Sequence, residues 1–382
     1  MLFGNSPLSL SKINLVLRAQ CDLHHVGEAG LTLLGGGDLR GDEAVGDGQQ
    51  AGGVLAQHLR IGKQSVALHL HAQAAALVAQ LFPVGGLCVR RLAVEYVRRM
   101  DVALDQRDAR VFMELDQLYK KLGVSHTQRL EKLKRHMSLT EKRDDVYLEY
   151  ITLNNMLGNH LEAQQDLAQR KFHPWEGGEG KVPGQYLLAQ TELAKSAIKA
   201  GKYQEAIDLL AATTEYPHNL GEGKLPGAQE NDIDYYRGIA YQALGNQEKS
   251  EFYFRKASEG LSEPAPAIYY NDQQPDKIFY QGLAWEALGN PENARKRFNK
   301  LISYGEKHLF DQVKIDYFAV SLPDLLIWED DLQKRNTIHC YYLMALGYLG
   351  LKKYDEAKTY FDKVLKMDIN HQGAHIHRKM CE

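Results

Sequence analysis

From about residue 108 onward, apolar residues recur at i, i+3, i+4 and i+7, so each segment carries one apolar stripe on a helical period. Glycines interrupt this pattern at Gly158, Gly201, Gly245 and Gly289, at spacings of 43, 44 and 44 residues. Each is followed five residues later by a small residue: Ala163, Ala206, Ser250 and Ala294. Three of the four lie in the tripeptide Leu-Gly-Asn, at Leu157-Gly158-Asn159, Leu244-Gly245-Asn246 and Leu288-Gly289-Asn290. A fifth unit, Tyr354-Asp355-Glu356-Ala357, echoes Tyr203-Gln204-Glu205-Ala206. The pattern predicts a repeated helical hairpin, about five copies between residues 110 and 370, in an all-α solenoid. Glycine suits the turn because it accepts positive φ after a helix. Seven residues before it, Ala194, Gly238 and Gly282 mark close helix crossings. Tyr241 and Trp285 fill the gap between helices, and Phe254, Phe298 and Phe361 face back into the same core.

Residues 1–105 have a different chemistry. Residues 1–110 hold 14 of the 33 glycines but only two lysines, Lys12 and Lys63, and one tyrosine, Tyr96. Glycine costs backbone entropy in any regular element, so residues 27–55 are expected to be loop or disordered. Ser65 to Leu81 is Ala/Leu-rich and predicts a helix. The glycines lack the strand–turn–helix order of a nucleotide loop. His24-His25, His69 and His71 lack a third and fourth ligand at a sensible spacing for a metal. The expectation is a poorly structured Gly/Ala-rich segment, read as sequence not selected for folding, that contributes little to stability. The helical repeat domain is placed at 106–382.

Composition narrows the function classes. The 382 residues are 44 % hydrophobic with a formal net charge of −3, so no bulk attraction to nucleic acid is expected. No run of eighteen apolar residues predicts a transmembrane helix. Cys21, Cys88, Cys340 and Cys381 match neither a zinc pattern nor a disulfide framework, which suits a reducing compartment. The stretch Met1 to Gln20 is a poor signal peptide, so a cytoplasmic protein is expected.

The repeat residues resemble the tetratricopeptide repeat: small at the eighth position, aromatic at the eleventh, turn glycine at the fifteenth, Ala at the twentieth and Phe at the twenty-fourth. The last unit fits best, with Ala345, Tyr348, Ala357, Phe361 and the ending Met367-Asp368-Ile369-Asn370, where Ile369 replaces the usual proline. The family's period is 34 residues; the spacing here is nine or ten longer. The excess falls in connectors, and connectors carry function more often than core does.

Two connectors repeat each other. His173 to Gly184 contains Gly178-Glu179-Gly180-Lys181-Val182-Pro183-Gly184, and Pro217 to Gly227 contains Gly221-Glu222-Gly223-Lys224-Leu225-Pro226-Gly227, 43 residues on. A tight connection explains Gly and Pro but not the retention of both Glu and Lys, so Glu179, Lys181, Glu222 and Lys224 are candidate binding residues. A phosphate loop is rejected, because Trp175 stands where a glycine is needed and Val182 where Ser or Thr is needed. Trp175, beside Glu176, either stacks on a ligand or plugs the loop. Further acidic and aromatic groups lie at Glu230-Asn231-Asp232, Tyr269-Tyr270-Asn271-Asp272, Asp316-Tyr317 and Glu329-Asp330-Asp331. They suit sugar recognition or acid/base hydrolysis, and equally helix N-caps, expected at Asp232 and Asp276. His371 and His375 stand i, i+4, a metal-pair spacing, but a solvated terminal helix is the better expectation.

The segments Phe172 to Lys181, His218 to Asp232 and Lys314-Ile315-Asp316-Tyr317-Phe318-Ala319-Val320-Ser321-Leu322-Pro323-Asp324 resemble a narrower family. Its members are large bacterial proteins with an N-terminal β-sandwich domain followed by an extended tetratricopeptide array, associated with sugar-utilisation genes. The resemblance runs from about Arg107 to the C-terminus. It implies a carbohydrate-related role and a β-sandwich partner that residues 1–100 do not resemble; no cofactor is expected. The expected function is a binding scaffold whose groove, with Lys195, Asp232, Tyr235, Asp276, Phe279, His339 and Tyr342, holds a protein domain or a carbohydrate-related ligand. The alternatives are a fragment of a carbohydrate-active enzyme with the loop carboxylates in its site, and a structural support for the β domain.

Overall fold

The computed structural model describes residues 108–266, 272–313 and 331–382. The expectations for residues 1–105, and the candidates Asn271 and Asp316, lie outside them. The regular elements among the described residues are fourteen α-helices and two short 3-10 turns. The opening layer is α1 (Ala109–Lys121), α2 (His126–Arg135) and the single turn α3 (Met137–Thr140). Five hairpins follow, with α4 (Asp144–Met156) and α5 (His160–Gln169) first, then α6 (Lys181–Lys199) and α7 (Tyr203–Ala211). Next come α8 (Asn231–Ala243) with α9 (Gln247–Ser258), α10 (Pro275–Ala287) with α11 (Pro291–His308), and α12 (Leu332–Gly350) with α13 (Tyr354–Met367). Helix α14 (Gln372–Arg378) ends the chain.

The Leu-Gly-Asn tripeptide works as a combined stop and start. Gly245 and Gly289 take φ of 74° and 76°. That left-handed turn lets Asn246 N–H reach back to Tyr241 O and Asn290 N–H to Trp285 O, satisfying carbonyls at the helix end. The same asparagines then cap the following helix: Asn246 Oδ1 accepts from Lys249 N and Asn290 Oδ1 from Asn293 N, each at 3.1 Å. In the fifth hairpin Lys352 makes the turn instead, with φ of 62°.

Within hairpins the small residue receives the aromatic one. A Cβ on Gly238 would lie 2.5 Å from Phe254, and one on Gly282 2.3 Å from Phe298. Each ring therefore fills space that a side chain would occupy, and the two helices approach closely. Ala206 and Ala294 are equally enclosed, at 0 % and 3 % exposure. Ala206→Leu and Ala294→Leu are each expected to cost about 1–3 kcal/mol by overpacking. Thermal melts of the two variants check this, and unchanged midpoints in both would place the repeat register elsewhere.

The solenoid closes on itself. Asn370, just past α13, donates through Nδ2 to Lys120 O at the end of α1 and pairs with His126 Nε2 on α2, both at 3.2 Å. Gln372 pairs with Gln185 of α6 at 3.1 Å, and the His375 and His126 rings meet edge to face at 5.6 Å. This corrects the expectation of a solvated terminal helix: Ala374, His377 and Cys381 are buried. Their burial requires the first and last layers to meet, which no local pattern encodes. His371 Nδ1 accepts from Ala374 N, and His375 Nε2 donates to Ile369 O, so the i, i+4 histidines serve the backbone.

Candidate functional site

The inner side of the solenoid holds a half-open cavity of about 1370 Å³. Its wall is built from the inner helices α1, α4, α6, α8, α10 and α12, the connector before α6, and the C-terminal segment. Of the expected groove residues, Asp232, Asp276, His339 and Tyr342 line it, joined by Trp175, Glu176 and Lys181 from the first Gly-Glu-Gly-Lys connector.

The two connectors share a motif but not a conformation. In the first, Gly180 has φ of 74° and α6 begins at Lys181, so Lys181 to Gly184 form a helical turn rather than loop, with Gly184 N–H bonded to Gly180 O. In the second, Gly227 has φ of 82° and α8 begins only at Asn231. There Lys224 Nζ is tied to Thr214 O at 3.1 Å and Glu230 Oε1 at 2.6 Å, while Gln229 bonds the backbone of Asp272 and Gln274. The second connector braces the first. Glu222 Oε2 accepts from Gly180 N at 2.8 Å, Phe172 N–H donates to Asn219 O at 2.7 Å, and Asn219 Nδ2 donates to Leu167 O and Arg170 O. Gly221 is required there, because a Cβ would stand 2.7 Å from Phe172 O and the backbone has φ of 80°. Burial pushes the Glu222 carboxyl up, and the Gly180 N–H partly offsets this.

Trp175 packs inside its own connector, as the plug expectation has it. Its indole lies against Gly178, where a Cβ would come within 2.3 Å, and it also reaches the cavity wall. Glu176 and Lys181 are exposed there, and Glu179 is exposed to solvent. Glu222, Lys224 and Glu230 belong to the brace. Tyr235 packs into a ring cluster with Tyr236, Phe254 and Tyr280 at 5.3–5.9 Å, and burial pushes its hydroxyl up to about 12. Asp272 contributes its carbonyl to Gln229 and Gln274.

The helix caps differ from expectation at two acids. Glu230 and Gln274 hold the N-cap positions of α8 and α10, so Asp232 and Asp276 fall in the first turn. Both face Lys277, which bonds Asp232 and lies 3.6 Å from Asp276. Burial opposes charge on this ammonium, but the two carboxylates outweigh it and raise its pKa. Asp331 does cap α12, accepting from Lys334 N at 2.9 Å. Lys277 escaped sequence reasoning because its pairing with Asp232 spans two hairpins. Glu192, bonded to Lys195 at 2.6 Å within α6, is a further wall residue that no motif marks.

Residues 278–304 and 338–371 each match a family model described as tetratricopeptide repeat. The fourth and fifth hairpins carry tetratricopeptide repeats. The matched segments fall on the α10–α11 and α12–α13 hairpins, the latter being the unit with the best sequence fit. Among solved structures, the chain is similar to a tetratricopeptide repeat protein from Parabacteroides merdae, with 14 % identity, 82 % of this chain and 99 % of that one covered, and a TM-score of 0.36. It is similar to a chain of the Cut9–Hcn1 hetero-tetramer of the APC/C, with 13 % identity, 81 % and 52 % covered, and a TM-score of 0.34. The tetratricopeptide domain of P58(IPK) matches at 15 % identity, with 85 % and 87 % covered and a TM-score of 0.25.

Proposed function

We propose that this chain is a cytoplasmic binding scaffold of bacterial origin that holds a segment of a partner protein inside the tetratricopeptide groove. The observation that carries the reading is the half-open cavity whose wall includes Trp175, Glu176 and Lys181 of the first connector together with Asp276, His339 and Tyr342. The wall carries eight Lys or Arg and eight Asp or Glu residues, a balance that selects against polyanions such as nucleic acid. A polypeptide presents both signs of charge and matches such a wall. The favoured partner is a β-sandwich domain of the kind that precedes similar arrays. None of the helices among the described residues is long and apolar enough to cross a membrane.

A carbohydrate is the second reading, favoured by the Trp175 indole on the cavity wall beside the polar Glu176 and Lys181. The enzyme-fragment reading has less support, because Lys277 engages both Asp232 and Asp276. The experiment screens the full chain against a neutral-oligosaccharide array and, separately, against a co-expressed β-sandwich domain. With whichever binds, Glu176→Ala and Lys181→Ala together are expected to lower affinity about tenfold or more with little change in melting. Lys224→Ala, on the brace, is expected to lower the melting temperature and leave the cavity wall intact. Wild-type affinity in the Glu176/Lys181 pair would remove the connector from the site.

A further inference from the structure

The groove already has an occupant. After α13 the chain turns through Asp368 to His371 and lays α14 across the inner wall, so that Gln372, Gly373, Ile376 and His377 line the cavity. Gly373 sits against Tyr342, whose hydroxyl a Cβ would meet at 2.4 Å. The His377 ring lies 5.6 Å from Phe279, 5.7 Å from Tyr280 and 6.0 Å from Tyr342. At the far side the segment is held to the first layer by Asn370 on Lys120 O and His126, and by the His375–His126 ring contact. The links from the segment to α1, α2 and α6 pair Asn, Gln, His and backbone groups, with no salt bridge among them.

Histidine dominates this contact, and the surroundings of His371 and His377 leave no room for a second ring proton. His377 Nδ1 donates to Gly373 O at 2.7 Å, while its buried Nε2 has no hydrogen-bond partner. A proton added at Nε2 would be a buried donor without an acceptor. His371 spends Nδ1 as the acceptor that caps α14. We propose that residues 368–382 are an acid-released plug of the groove, docked while His371 and His377 are neutral and freed when these two take up protons.

The surrounding charges do not reverse that balance. Burial pushes the His371 imidazole down to about 4 against the favourable Asp368, with His339 and His377 adding to the depression. Burial likewise lowers His377; Asp276 and Glu192 favour its proton and Lys195 opposes it. His126 is lowered by burial, His375 and Arg129, with Asn370 and Asp368 in opposition. Burial also lowers His339, which donates to Ala265 O on the same wall. At the outer end of the segment, Lys379 stands near His160, and Arg378 pairs with Asp362 and Glu382. These folded-state values lie below that of a free imidazole. Docking is therefore stable above about pH 6.5 and weakens as the pH falls below it.

The consequence for a ligand rests on the groove being the binding site, but release itself is read with no ligand present. Hydrogen exchange of the full chain is followed by mass spectrometry at about pH 7.5 and about pH 5, normalised for the intrinsic pH dependence of exchange. Amides of residues 369–382 are expected to lose about tenfold more protection than those of α8 to α11. His371→Asn, which preserves a cap, together with His377→Phe, which preserves an aromatic ring, should retain protection at the lower pH. Equal loss across the molecule in the wild type overturns the plug. Release that persists in a folded double variant overturns the histidine mechanism. Because the wild-type comparison stands alone, a variant that fails to fold leaves the decision intact.

Discussion

Replacing Arg129 by Ala is expected to destabilise the protein by about 3–5 kcal/mol, because it strands a buried carboxylate. Arg129 and Asp116 are 1 % and 2 % exposed, and their bidentate contact joins α2 to α1 at 3.0 and 2.5 Å. The same guanidinium reaches Glu149 on α4 at 2.8 Å, and Lys120 closes the network at 2.6 Å. Burial alone would push the Glu149 carboxyl up; Lys120 and Arg129 instead hold it at about 2. A depressed carboxylate adds stability above its unfolded pKa of about 4.5 and loses it as pH falls toward the folded value. The variant should therefore show a shallower loss between about pH 5 and pH 2 than the wild type. Urea unfolding followed by circular dichroism measures both effects. A cost below about 1 kcal/mol would mean that water reaches Asp116 once the arginine is gone.

Phe298→Ala is expected to cost about 3–5 kcal/mol, the range for emptying a large buried aromatic site. Phe298 is 2 % exposed and sits between two glycines on neighbouring helices. A Cβ on Gly282 of α10 would come within 2.3 Å of the ring, and one on Gly350 of α12 within 2.2 Å. Phe279 stands at 6.0 Å, and the whole site belongs to the C-terminal core. Glycine has no side chain to move into the vacated volume, so relaxation is limited and the cavity persists. Phe298→Leu keeps much of the volume and should lose less than half as much. The two variants are compared by denaturant midpoint at constant slope. Equal stabilities for Phe298→Ala and wild type would show that the α10–α12 crossing is not packed on this ring.

Much of this molecule is written within single repeats. Gly238 with Phe254 and Gly282 with Phe298 were readable because each contact spans sixteen residues and recurs one repeat later. The Leu-Gly-Asn turns were readable for the same reason, since helix stop and helix start occupy three consecutive positions. The cap assignments at Asp232 and Asp276 each failed by two residues, because several polar residues compete for the cap and local composition does not rank them. The paired connectors show the limit most directly. The same Gly-Glu-Gly-Lys motif ends in a helix start at Lys181 and in an extended brace at Lys224. The difference lies in partners outside the motif, Thr214 and Glu230, and in Gln229 reaching the next hairpin.

The sequence by itself determined the helical hairpins, their turns and the small-to-aromatic packing inside each, because those interactions are local and periodic. Only the tertiary structure decided that the ends meet. His126 and Asn370 are 244 positions apart, and Gln185 and Gln372 are 187 apart. Neither pair has a periodic signature. Closure depends on the small rotation that each repeat adds, summed over the array. That sum buries His377, shapes the cavity and sets the first connector on its wall, so the candidate site is a property of the closed solenoid rather than of any one repeat.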